Sequence, residues 1–104
     1  MELAAKAAGY ELSWLWGEAL IHVNDASISW SPLTSGDDSQ RLQVKLRIDV
    51  EWRNEFCVSA FVADGGYMAK MSHFENFDPT IPDDDLRAMR EAIFLVAVEI
   101  GRAI

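Results

Sequence analysis

The sequence predicts an α+β fold: a mainly antiparallel sheet of four to five short strands packed against a long C-terminal helix and a short N-terminal helix. Two patterns carry that reading. Several short segments alternate apolar and polar residues with a period of two, as half-buried strands do. The segment from Asp83 to Ala103 instead repeats apolar side chains at spacings of three and four, as an amphipathic helix does. At 104 residues, half of them hydrophobic and a quarter charged, the chain has enough apolar material for one core and too little length for two. A single domain over 1–104 is expected.

The elements follow in order. Met1 to Ala8 is rich in Ala and Leu and ends at Gly9, a residue suited to the left-handed conformation that terminates helices. Tyr10, Leu12, Trp14 and Trp16 share one parity, opposite Glu11 and Ser13, so Tyr10–Trp16 reads as a strand that Gly17 breaks. Ala19–Val23 reads as a second strand, Asn24-Asp25 as a turn, and Ile28–Trp30 as a brief third strand before the loop Ser31–Gly36. From Asp37 to Trp52 two readings compete. Leu42, Val44, Leu46, Ile48, Val50 and Trp52 alternate as in one long strand, yet Asp37-Asp38 is a helix-start signal and Leu42 and Leu46 also stand at helical spacing. Further on, Phe56–Ala63 and Tyr67–Phe74 flank Asp64-Gly65-Gly66 as a hairpin, with Tyr67, Ala69, Met71 and His73 on one face. A loop from Phe74 to Pro82 follows.

In the last helix, Leu86, Met89, Ile93, Val96 and Ile100 form one apolar stripe. Asp83, Asp84 and Asp85 suit its first turn, where unpaired amides and the helix dipole favour negative charge. Phe94, Leu95 and Val98 lie on the opposite side among Arg87, Glu91 and Arg102. A helix apolar on both sides has a second surface to bury.

The formal net charge of −8 disfavours direct binding of DNA or RNA, since such binders draw affinity from Lys and Arg displacing counterions. The charge is uneven. Arg41, Lys45, Arg47 and Arg53 outnumber Asp49 and Glu51, whereas Glu75, Asp78, Asp83, Asp84 and Asp85 fall in one segment without a base. The longest apolar run, Ala92 to Val98, is far short of the roughly 18–20 residues of a bilayer span. The N-terminus lacks the basic start of a secretory signal, and the lone Cys57 is expected as a buried thiol in a reducing, cytoplasmic setting.

Chemistry-bearing constellations are sparse. His22, His73 and Cys57 show no metal-ligand spacing, so no metal and no cofactor is expected. Ser72 and His73 are adjacent in a strand and point to opposite faces, which argues against a nucleophile–base pair and against an enzyme. Asp83-Asp84-Asp85 lacks the loop of a cation site and reads as helix capping, and Asp64-Gly65-Gly66 reads as a turn. Trp14, Trp16, Trp30 and Trp52 are expected to pack against the helices.

Three stretches carry a resemblance. Glu2–Gly9, the centre from Trp30-Ser31-Pro32-Leu33 through Asp37-Asp38 to Leu42–Ile48, and the tail from Arg90–Ile93 to Glu99–Ala103 resemble small phage and prophage accessory proteins of the NinX-like group. The resemblance covers about half the chain and implies phage origin, with no catalytic residue to carry over. It also implies a helical turn or two from Asp38 to about Leu46 leading into a strand from Arg47 to Arg53, which settles the choice between the two readings of the centre.

The expected function is a phage-encoded, non-enzymatic binding protein in the host bacterial cytoplasm. Its partner would be a host protein or complex, and inhibition of a defence system, as by an anti-CRISPR protein, is one concrete form. Glu75, Asp78, Asp83, Asp84 and Asp85 form the candidate partner surface, because an acidic surface can occupy a groove suited to phosphates. The alternatives are a self-associating phage assembly module, a homodimer through Phe94, Leu95 and Val98, and a small-ligand-binding protein with a site between sheet and helix.

Overall fold

The computed structural model describes residues 1–62 and 72–104. The described elements are α1 (Glu2–Ala8), β1 (Glu11–Leu15), β2 (Glu18–Val23), β3 (Ala26–Ser29), α2 (Gly36–Leu46), β4 (Ile48–Asn54), β5 (Cys57–Val62), β6 (His73–Asn76) and α3 (Asp84–Ala103). The α+β class and the long C-terminal helix are as expected. The sheet is not: six described strands form two separate antiparallel sheets of three, ordered β1-β2-β3 and β4-β5-β6. Alternation reveals where strands are but not which of them pair, so a single sheet of four to five was a wrong grouping.

Local chemistry explains most boundaries. Gly9, at φ 74°, closes α1 in the left-handed region. Leu15 pairs with Glu18 and Val23 with Ala26, so two-residue turns join β1 to β2 and β2 to β3. Trp16 (φ 53°) with Gly17 (φ 77°) and Asn24 (φ 50°) with Asp25 (φ 67°) supply the paired positive φ values of type I′ hairpins. The centre resolves as a helix followed by a strand. Ser35 Oγ accepts from Asp38 N at 3.2 Å, while Asp38 Oδ2 accepts from Ser31 N at 2.9 Å, so the loop and the first turn of α2 brace each other. Arg47, left-handed at φ 57°, ends the helix and begins the strand.

Helix α3 is the organising element, packing on α1, α2 and all three strands of the second sheet. Its buried side includes Ala88, Ala92, Ile93, Val96 and Ala97, and the last four meet Ala4, Ala5 and Ala8 of α1 together with Leu42, Ile48 and Ala60 in one cluster. Small residues let α1 lie close to α3. A Cβ on Gly101 would overlap the backbone carbonyl of Leu3, so glycine is required there. Phe94 and Val98 are half-buried and pack against this cluster, and Leu95 is half-buried. The second side of α3 is thus largely covered within the chain.

Three further expectations need correction. Of the four tryptophans only Trp30, 3% exposed, is buried, whereas Trp14, Trp16 and Trp52 face solvent. Glu75 lies in β6 and not in a loop, because pairing with β5 extends to Asn76. Cys57 is half-buried rather than buried. In the predicted Phe56–Phe74 hairpin, β5 and β6 do pair antiparallel, while the Asp64-Gly65-Gly66 turn and Tyr67, Ala69 and Met71 lie outside the described residues.

Candidate functional site

The predicted acidic residues fall at the N-terminal end of α3, where the β4–β5 turn and residues 77–83 converge. Phe77 N donates to Phe56 O at 2.9 Å, which ties the loop to the turn. Asp84 Oδ2 accepts from Asp78 N at 2.8 Å, and Asp78 Oδ1 accepts from Thr80 N at 2.9 Å and Thr80 Oγ1 at 2.6 Å. These bonds fold the loop back on the first turn of α3.

A single guanidinium holds the arrangement. Arg87 donates from Nε to Asp84 Oδ1 at 2.7 Å, from Nη1 to Glu91 Oε2 at 2.6 Å and from Nη2 to Asn76 O at 3.0 Å. The segment without bases in sequence therefore receives one in space, from one turn further along the helix. Hydrogen bonds from Arg87 and from the Asp78 amide hold the Asp84 carboxyl below its usual range. The two bonds from Thr80 do the same for Asp78. Glu75 shifts the other way. Its Cα partner is Val58, which is fully buried, so Glu75 points to the helix-covered side of the sheet. Burial, and then the charge of Glu91, raise its pKa against the opposing effects of Arg87 and His73.

The five predicted acids accordingly divide. Asp78 and Asp84 share one clasp, and Glu75 sits beneath it facing α3. Asp83 and Asp85 remain exposed on the rim. The capping role expected of Asp83 is not observed: it is left-handed at φ 63° and its side chain makes no cap bond. That conformation turns its carboxylate away from the amides it would have to accept from.

Composition did not reveal that aromatic groups surround these acids. A shallow cleft of about 350 Å³ is lined by Phe56, Asn76, Phe77, Asp78, Pro79 and Asp84. Trp52 meets Phe77 edge-on at 5.6 Å between ring centres. Phe56, Phe74 and Ile81 are each more than half exposed nearby in sequence or sheet. On the outer sheet face the Arg53 guanidinium lies 5.4 Å from the centre of the Phe74 ring and donates to Ser59 Oγ at 3.1 Å. The missed signal was the turn Asn54-Glu55-Phe56, which puts an aromatic at a hairpin end where no core can reach it.

Other arrangements offer less. Register places Ser13 and Ser27 beside His22, with Ser13 Oγ 3.1 Å from Nε2 and Ser27 Oγ 3.1 Å from Nδ1. This Ser–His–Ser trio lies on an exposed sheet face without the enclosing pocket that excludes water from a reacting group. A cleft of about 510 Å³ between Tyr10 and α2 gathers Asp37, Gln40, Arg41, Val44 and Lys45, and the Lys45 ammonium sits 4.9 Å from the Tyr10 ring centre. No Ser, Thr, Cys or His lines this cleft. Among the described residues no group of three or more His, Cys, Asp or Glu is placed to hold a metal ion, and no helix is long and apolar enough to cross a membrane. Compared with protein-family models, with curated proteins and with solved structures, the chain matches none.

Proposed function

We propose that this chain is a non-enzymatic binding protein that engages a host protein or protein complex through the end of the fold built from the β4–β5 turn, residues 77–83 and the start of α3. The observation that carries this reading is the interleaving there of exposed aromatic and aliphatic side chains with carboxylates on a braced backbone. Apolar anchors supply affinity when desolvated, and surrounding charge supplies steering and selectivity. A loop already tied to α3 by Asp84 and Arg87 has less to lose in ordering on contact. The chemistry suits a partner surface rich in Lys and Arg around an apolar pocket, such as a protein groove that ordinarily receives nucleic acid. With the resemblance to phage accessory proteins, inhibition of a host defence complex is the concrete form of this role.

The test is affinity capture from a bacterial host lysate, quantified by mass spectrometry, with wild-type protein and two variants. Phe56→Ser removes an exposed anchor, and Asp83→Asn with Asp85→Asn removes rim charge while leaving the Asp84–Arg87 clasp intact. The expected result is at least a tenfold loss of captured partner with Phe56→Ser and a capture less sensitive to salt with the charge variant. Equal capture by all three proteins would refute the proposal.

A further inference from the structure

The hairpin joining β1 to β2 carries a surface that this role does not use. Trp16 is 95% exposed, and Trp14 and Leu15 beside it are each a little over half exposed. Trp16 also holds φ at 53°, a conformation that bulky side chains rarely adopt and that strains the backbone. Asparagine followed by glycine is the favoured composition of such a turn. A fully exposed indole at a strained position is unfavourable on both counts in an isolated chain.

The hairpin flanks two shallow depressions. One, of about 400 Å³, is lined by Met1, Glu2, Leu3, Trp14 and Val98. The other, of about 330 Å³, runs from Met1 and Trp14 past Trp16 to Trp30. Knob and hollow therefore lie side by side on one surface, which is the condition for a self-complementary two-fold contact.

We propose that a second copy of this chain docks here, each Trp16 entering the hollow beside its partner's Trp14. The area supports this occupant. Trp14 and Trp16 alone expose on the order of 400 Å² per copy. With Met1, Leu3 and Val98 a two-fold pairing that covers this exposed surface buries about 1,000 Å² in total, the lower end of the range for a specific dimer. Charge also permits it. The hollow lies at the C-terminal end of α3, and Val98 stands about 21 Å along the helix axis from Asp84, more than two Debye lengths at physiological salt. The acidic ends of two copies thus stay apart. The carboxylates near the contact are Glu2 and Glu18, and Glu18 already accepts from Ser29 Oγ. Of the helix residues Phe94, Leu95 and Val98, only Val98 lines this hollow.

Sedimentation velocity on the full chain from about 1 to 100 μM tests the proposal, with a dimer forming in that range. Trp16→Asn, which suits the turn and removes only an exposed side chain, is expected to keep the circular dichroism and melting temperature of wild type. It should weaken association at least 30-fold. A wild type that stays monomeric throughout overturns the proposal. Co-sedimentation of that monomer with phosphatidylcholine vesicles would then assign the hairpin to a bilayer, and host-protein capture lost in Trp16→Asn would assign it to another protein. A Trp16→Asn variant as dimeric as wild type overturns it equally.

Discussion

Two carboxylates that both belong to one acidic segment respond to pH in opposite ways. Asp84 is stabilised as the anion by Arg87 and the Asp78 amide, so its folded pKa lies below its unfolded one. It contributes stability above a pH of about 4, which is lost as pH falls through the folded value. Glu75 is raised by burial and by Glu91. Its contribution is complete below the unfolded pKa and is lost as pH rises through the folded one, so its charged form opposes folding at neutral pH. Thermal melts at pH 7 should show Asp84→Asn less stable and Glu75→Gln more stable than wild type. At pH 3 the Asp84→Asn difference should shrink. The same sign for both variants at pH 7 would contradict this assignment of their surroundings. Sequence placed these residues in one acidic stretch, but strand register and the reach of Arg87 separate them, and neither is visible in the order of residues.

At the scale of elements, the close packing of α1 on α3 depends on small side chains. Gly101→Ala would drive a methyl into the Leu3 carbonyl, and backbone on both helices must move to relieve it. A loss of at least about 2 kcal/mol follows, or roughly 10 °C in melting temperature for a chain of this size. An unchanged melt would show that α1 does not dock as described. Both helices were legible beforehand, α1 from its Ala-rich run ending at Gly9 and α3 from its stripe at Leu86, Met89, Ile93, Val96 and Ile100. The centre was ambiguous because Leu42 through Trp52 satisfies two periods at once. What separates them is the Ser35 and Asp38 bonding at the start of α2 and the left-handed Arg47 at its end. The tryptophans were misread for a different reason. Parity correctly groups Trp14 with Leu12, but it cannot say where along the strand burial ends: Leu12 packs against the core, while Trp14, nearer the hairpin tip, faces solvent.

For the molecule as a whole, α3 acts as a spacer between two unlike surfaces. Its N-terminal end bears the braced acidic and aromatic site, and its C-terminal end lies beside the exposed hairpin. The expected self-association residues Phe94, Leu95 and Val98 are half-buried within the chain, and the candidate has moved to Trp14 and Trp16. A dimer joined there would hold two partner-binding ends facing outward, which raises the apparent affinity for any partner presenting two sites. The most direct test of this two-ended account is a crossed comparison of Phe56→Ser and Trp16→Asn, each assayed by sedimentation and by quantitative capture. The account predicts that Phe56→Ser remains dimeric but loses the captured partner, and that Trp16→Asn becomes monomeric yet still captures it. Loss of both properties in either variant, with its fold intact, would contradict the separation of the two surfaces.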